Sequence, residues 1–179
     1  KDNGEINYIT PSILLLVFNR LDTTRKVFAA IKQAKPRKLY IASDGPRKNI
    51  DGEKKIVDNI RTYILTNIDW ECDVKTLFRR ENLGCMTAIK ESIDWFFENE
   101  EYGIILEDDC VPDVSFFSTC SILLEEYKND ESVALIGGHN YLWGKYDSHD
   151  SFFVSHYINI WGWATWRRVW KDINYDIKY

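Results

Sequence analysis

Ile13-Leu14-Leu15-Leu16-Val17-Phe18 is an unbroken apolar run, too short for an ordinary helix and without the polar alternation of a half-exposed strand. Such a run marks a central parallel strand covered by helices on both faces. The chain after it keeps to that plan. Asp22 is placed to cap a helix whose inward face is Val27, Ile31 and Ala34, and Pro36 ends it. Leu39-Tyr40-Ile41-Ala42 reads as a second strand, and Asp44-Gly45-Pro46 as a turn. A second helix carries the stripe Ile56, Ile60, Tyr63 and Ile64. Val74 to Phe78 is the third strand; the turn Asn82-Leu83-Gly84 leads to a third helix with Met86, Ile89, Ile93 and Phe96 inward. Ile104 to Leu106 forms a fourth strand, Phe116, Cys120, Leu123 and Tyr127 line a fourth helix, and Val133 to Ile136 is a fifth strand. This succession of β-α units predicts an α/β fold, a mostly parallel sheet with right-handed crossovers and helices on both faces. Beyond Gly137-Gly138 the pattern changes. Residues 139–160 read as a loop with short strands, and Trp161 to Ile173 as an amphipathic helix with Trp163, Trp166, Trp170 and Ile173 along one stripe.

A chain of 179 residues is one domain with enough length to bury a core. Its net charge of −5 argues against a nucleic-acid partner, which needs basic surface to neutralise phosphates. The longest apolar run is far too short to span a bilayer, so no transmembrane segment is expected, and no signal peptide is visible in a chain that opens at Lys1. Cys72, Cys85, Cys110 and Cys120 follow no zinc-site spacing; core filling suits Cys110 and Cys120, and a reducing, cytoplasmic setting suits the set.

The chemistry gathers at strand ends. Glu107-Asp108-Asp109 follows the fourth strand, and Pro112 prevents that strand from continuing. Open α/β sheets place their ligands at this edge. Bunched carboxylates repel one another unless a positive charge sits among them, and a hard divalent cation with oxygen ligands is the usual answer. The duller alternative is a set of solvated loop acids, with Asp113 capping the next helix. Asn19 and Arg20 follow the first strand, Asp44 and Gly45 the second, and Arg79, Arg80 and Asn82 the third. Guanidinium groups for phosphate and a carboxylate for a base or ribose thus converge on one crevice, without the glycine-rich loop of P-loop or dinucleotide folds. A diphosphate held by metal and arginine points to a nucleotide-sugar.

With these residues in view, the chain resembles the inverting glycosyltransferases of GT-A (Rossmann-like) fold, the nucleotide-diphospho-sugar transferases of bacteria and the animal α-1,3-mannosyl-glycoprotein β-1,2-N-acetylglucosaminyltransferases. Val17-Phe18-Asn19-Arg20 is similar to that family's first strand, which implies that Arg20 contacts the donor phosphates of UDP. Ile41-Ala42-Ser43-Asp44 resembles its second strand, implying a hydrogen bond from uracil to Asp44. Ile105-Leu106-Glu107-Asp108-Asp109, with Phe116-Phe117 after it, resembles its acidic motif, implying Asp109 as the ligand of Mn²⁺ or Mg²⁺, with Glu107 and Asp108 on ribose and donor sugar. Gly162-Trp163 followed by Trp170 resembles the helix near its acceptor site.

The resemblance implies a donor-binding half over residues 1–137 and the start of an acceptor-side region over 138–179. It implies a UDP-sugar as donor, a glycan or polysaccharide as acceptor, and work in polysaccharide assembly at the inner face of a membrane, with peripheral association. In that family the catalytic base lies in a Trp-Asp-Asp-like segment after the Gly-Trp helix. The chain stops at Tyr179 short of such a segment, and neither Asp172 nor Asp176 has a matching context, so the base is unassigned. Three other activities stay open: a non-catalytic nucleotide-binding module or fragment, a sugar-phosphate nucleotidyltransferase, and a metal-dependent phosphohydrolase or receiver-like domain. The second would want a glycine-rich basic loop in place of Asn19-Arg20-Leu21-Asp22. The third would want acids after the first strand.

Overall fold

The computed structural model describes residues 8–139 and 151–173. Four β-α units and a fifth strand in a mostly parallel sheet were the expectation; five strands run one way, and a sixth, reversed, is inserted between the fourth and the fifth. In chain order these are β1 (Ile13–Val17), α1 (Leu21–Ala34), β2 (Lys38–Ser43), α2 (Glu53–Thr66), β3 (Asp73–Phe78), α3 (Cys85–Asn99), β4 (Tyr102–Glu107), α4 (Val114–Glu126), β5 (Leu135–Gly137), β6 (Trp163–Trp166) and the single turn α5 (Arg167–Trp170). The sheet order is β3-β2-β1-β4-β6-β5. β1 pairs parallel to β2 and β4, and β2 to β3, while β6 runs antiparallel between β4 and β5.

Every residue of β1 is buried, and side chains alternate between two cores. Ile13, Leu15 and Val17 join Leu39, Ile41, Ile104 and Leu106 under α1, α2 and α4. Leu14 and Leu16 join Tyr40, Ala42 and Ile105 under α3 and Trp170. Burial on both faces explains why the run has no polar alternation.

One helix end and two helix faces depart from expectation. Arg20, not Asp22, is the N-cap residue of α1: its carbonyl accepts from the Thr24 amide at 3.1 Å, and Asp22 lies in the first turn, where its charge favours the helix dipole. The inward stripe of α2 is Val57, Ile60 and Ile64, so Ile56 falls on the exposed side. Met86 is 78% exposed because the stripe of α3 runs through Ala88, Ile93, Phe96 and Phe97.

The largest correction concerns Trp161 to Ile173, where strand β6 replaces the expected long helix and leaves only one turn, α5, after it. Trp163 pairs with Ile105 and Trp166 with Tyr102, and both tryptophans are buried, one in each core. The Trp166 indole N–H donates to the Leu124 carbonyl at 3.0 Å. A strand covered on both faces needs bulky side chains on both, and tryptophans three and four residues apart imitate a helical stripe. Residues 151–160 carry no strand; residues 140–150 and Asp176 lie outside the described residues.

Candidate functional site

β1 is the switch point of the sheet: from it the chain crosses through α1 to β2 on one side, while β4, reached through α3 over the other face, lies on its opposite side. Strand ends diverge at such a point and leave a crevice at the carboxyl edge. Because Leu16 is level with Glu107, the segment Phe18-Asn19-Arg20 lies beside Asp108-Asp109.

Three contacts close this junction. The Phe18 amide donates to Asp108 Oδ2 at 3.2 Å. The Arg20 guanidinium then divides, with Nη2 at 2.6 Å from Asp108 Oδ1 and Nη1 donating to Asp109 Oδ2 at 2.7 Å. The first of these is an ion pair skewed from a donor's line, so the buried Oδ1 has no aligned hydrogen bond. Asp108 is 2% exposed, whereas Arg20 and Asp109 reach solvent. Thus Arg20 supplies the positive charge that the bunched acids require.

Burial pushes the Asp108 carboxyl above its ordinary value, and Arg20 and the Phe18 amide only partly offset it. Glu107 is also raised, first by burial and then by Asp109 and Asp108, with Arg20 opposing. For Arg20, burial pulls downward but the two aspartates outweigh it and the guanidinium is held above its usual range.

Asp44 lies at the end of β2 as expected, with its carboxylate engaged. It accepts from the amides of Gly45 (2.8 Å), Leu83 (3.0 Å) and Gly84 (3.2 Å) and from Asn82 Nδ2 (2.9 Å), which fixes the turn into α3. Arg79 turns away from the crevice: its Nη1 donates to Ser92 Oγ and its Nη2 to Glu91, both at 3.1 Å. Arg80 is exposed.

Sequence reasoning missed Glu53 and Arg61. Glu53 is 1% exposed and accepts from Asn19 Nδ2 at 2.9 Å, from the Arg47 amide at 2.7 Å and from Arg47 Nη2 at 2.5 Å. It ties the loop after β1 to the loop after β2, and the Arg47 guanidinium lies 5.6 Å over the Phe18 ring. Arg61 donates to the carbonyls of Ser43, Asp44 and Arg79 and so joins the ends of β2 and β3. An acid in the first turn after Gly52 was the available signal for Glu53; nothing local marks Arg61.

Hydrogen bonds from Arg47 hold the Glu53 carboxyl down, to about 2 against an ordinary 4.5, with burial opposing. A depressed carboxyl contributes stability that is complete above its unfolded value and is lost as pH falls through the folded one. In acid titration, the stability gap between wild type and Glu53→Gln is therefore expected to be constant above pH 4.5 and to close between pH 4.5 and about 2. A gap independent of pH across that window would contradict this ion pair.

A groove of about 420 Å³ beside Arg20 is lined by Asn19, Asp22, Thr23, Ile56 and Asn59. On the other side of Glu107, β6 begins at this same edge. Gly162, with φ +70°, accepts from the Gly138 amide at 2.8 Å, and the exposed Trp161 ring stacks on His139 with centroids 6.2 Å apart. Since β6 runs away from the crevice, α5 and Asp172 stand at the opposite edge, where the Arg167 amide donates to the Glu101 carbonyl. The expected acceptor-side helix at Gly162-Trp163 to Trp170 is thus a strand leading away from the site.

Among the described residues no three His, Cys, Asp or Glu side chains converge as a preformed ion cage. A divalent cation fits as a guest of the half-exposed Asp109, taking its other oxygens from water and from a substrate, as Mg²⁺ commonly does.

No protein-family model matches the chain, and no curated protein matches it. Among solved structures, a mannosyltransferase from Pyrobaculum calidifontis in complex with GDP-mannose and Mn²⁺ is similar over 72% of this chain, with 14% sequence identity and a TM-score of 0.48. The chain spans only 35% of that protein. The fold stands on its own geometry: a mixed α/β domain with a mostly parallel six-stranded sheet between helices.

Proposed function

We propose that this chain is the donor-binding part of a metal-dependent glycosyltransferase. It would move a sugar from a nucleoside-diphosphate sugar, UDP-linked as the sequence resemblance implies, to a glycan or polysaccharide hydroxyl with inversion. The observation that carries this reading is the meeting of Arg20 with Asp108 and Asp109 at the switch point, beside the half-buried Glu107. One solvent-reaching guanidinium and one half-exposed carboxylate suit a diphosphate with its counter-cation, and the strand ends need no glycine loop to hold it.

In this account Arg20 takes a phosphate oxygen, and Asp109 holds Mn²⁺ or Mg²⁺. When bound, that cation would neutralise the charge developing on the departing nucleoside diphosphate. Glu107 would face ribose or donor sugar; Asp108, for which the resemblance implies a like contact, is 2% exposed and acts first as the anchor of Arg20. Asp44 acts first by fixing the 82–84 turn; the uracil contact that the resemblance implies would share oxygens that already accept four hydrogen bonds. Trp161, stacked on His139, offers an exposed ring face to a sugar. No helix among the described residues is long and apolar enough to cross a membrane, and the setting proposed is the cytoplasmic face, with peripheral association.

A non-catalytic nucleotide-binding module is the rival, favoured by the place of Asp172 at the edge remote from the crevice. The test is release of nucleoside diphosphate from UDP- and GDP-sugars with Mn²⁺, without acceptor and then with oligosaccharides. Metal-dependent release from one donor supports the transferase. Binding with no release from any donor makes the chain a binding module.

A further inference from the structure

Asp109 reaches solvent where its neighbour Asp108 does not, and its Oδ2 is already taken by Arg20 at 2.7 Å. Its Oδ1 touches the Cys110 thiol at 3.7 Å, a weak contact. Asp108 differs in being fixed: it is buried, it accepts from the Phe18 amide, and Arg20 is its close counter-ion. The two ends of the guanidinium therefore have unequal freedom. Nη2 compensates a charge that cannot leave, while Nη1 lies on a charge that can take another partner.

We propose that Arg20 is a latch that competes with a divalent cation for Asp109 and couples cation binding to diphosphate binding. In the unliganded protein the guanidinium occupies Asp109 and keeps cation affinity low. An incoming phosphate oxygen draws Nη1 from Asp109, Nη2 stays on Asp108, and Asp109 is released to the cation. The planar fork of arginine permits this division; the single ammonium of lysine does not. By linkage, the factor by which diphosphate tightens the cation is the factor by which the cation tightens diphosphate. The diphosphate half rests on the donor-site reading given above, but the competition between Arg20 and cation does not.

The test is titration of Mn²⁺ alone, read by the electron paramagnetic resonance of unbound Mn²⁺. Arg20→Gln combined with Asp108→Asn removes the buried charge pair from both sides and leaves Asp109 unclaimed. It is expected to bind Mn²⁺ at least about tenfold more tightly than wild type, against a coupling scale of roughly 5–150-fold. Adding Asp109→Asn should abolish that gain. Arg20→Lys, whose ammonium can remain on Asp108, covers failure of the double variant to fold and is also expected to bind more tightly. Equal, weaker or unmeasurable Mn²⁺ binding in the folded variants overturns the latch. Because no nucleotide is present, that result is separate from a failure of wild type to bind nucleotide-sugar, which would sink the donor site instead.

Discussion

Asp109→Ala is expected to lower the Mn²⁺-supported affinity for UDP by about a hundredfold or more, while stability changes by no more than about 0.5 kcal/mol. The two effects separate because Asp109 reaches solvent and contributes little to packing. Its loss also leaves Arg20 on Asp108, so the buried carboxylate keeps its counter-ion. Asp108→Ala should behave in the opposite way, since it removes the acceptor of the Phe18 amide and the anchor of Arg20 from the junction of β1 and β4. Calorimetry of UDP binding with Mn²⁺ and thermal melts of both variants check the pair. An Asp109→Ala protein that binds UDP as wild type does would remove the cation from the account.

Gly45→Ala is expected to cost about 3 kcal/mol or more, which for a domain of this size lowers Tm by about 6–12 °C. A Cβ at Gly45 would stand 2.4 Å from the Glu81 carbonyl carbon and 2.5 Å from the Glu81 nitrogen and oxygen. These are backbone atoms, and they cannot step aside, because Asp44 and Asn82 lock the two turns together next to them. Gly52 makes the control. It has φ +79° with open space around it, so Gly52→Ala meets only backbone strain, about 1 kcal/mol. Equal losses for the two variants in chemical denaturation would show that the close approach of the β2 and β3 turns is not tight.

The central strands were legible because burial on both faces leaves a mark that no local competitor imitates. Ile13 to Val17 and Ile104 to Leu106 could be little else, and the acids after them had to fall at the carboxyl edge. What local pattern could not supply was the direction in which side chains leave that edge. Arg79 belongs to it by position, yet its guanidinium goes to α3. Asp44 belongs to it too, but it serves the turn into α3 before any ligand. Glu53 and Arg61 tie strand ends together through partners supplied by other elements, which no periodicity records. The sequence asked for a cation among the acids; the fold answers with Arg20, which follows a different strand. At Trp163 to Trp170 period and burial conflicted, because a strand packed on both faces loses its alternation.

The most direct measurement is calorimetric titration of UDP into the wild-type protein with and without Mn²⁺. Binding with Mn²⁺ and much weaker binding without it is expected, since Arg20 alone must then meet the diphosphate. Absence of UDP binding under both conditions would contradict a donor site at the junction of β1 and β4. Glu107, Asp108 and Asp109 would then be a strand end whose charge Arg20 neutralises for stability alone.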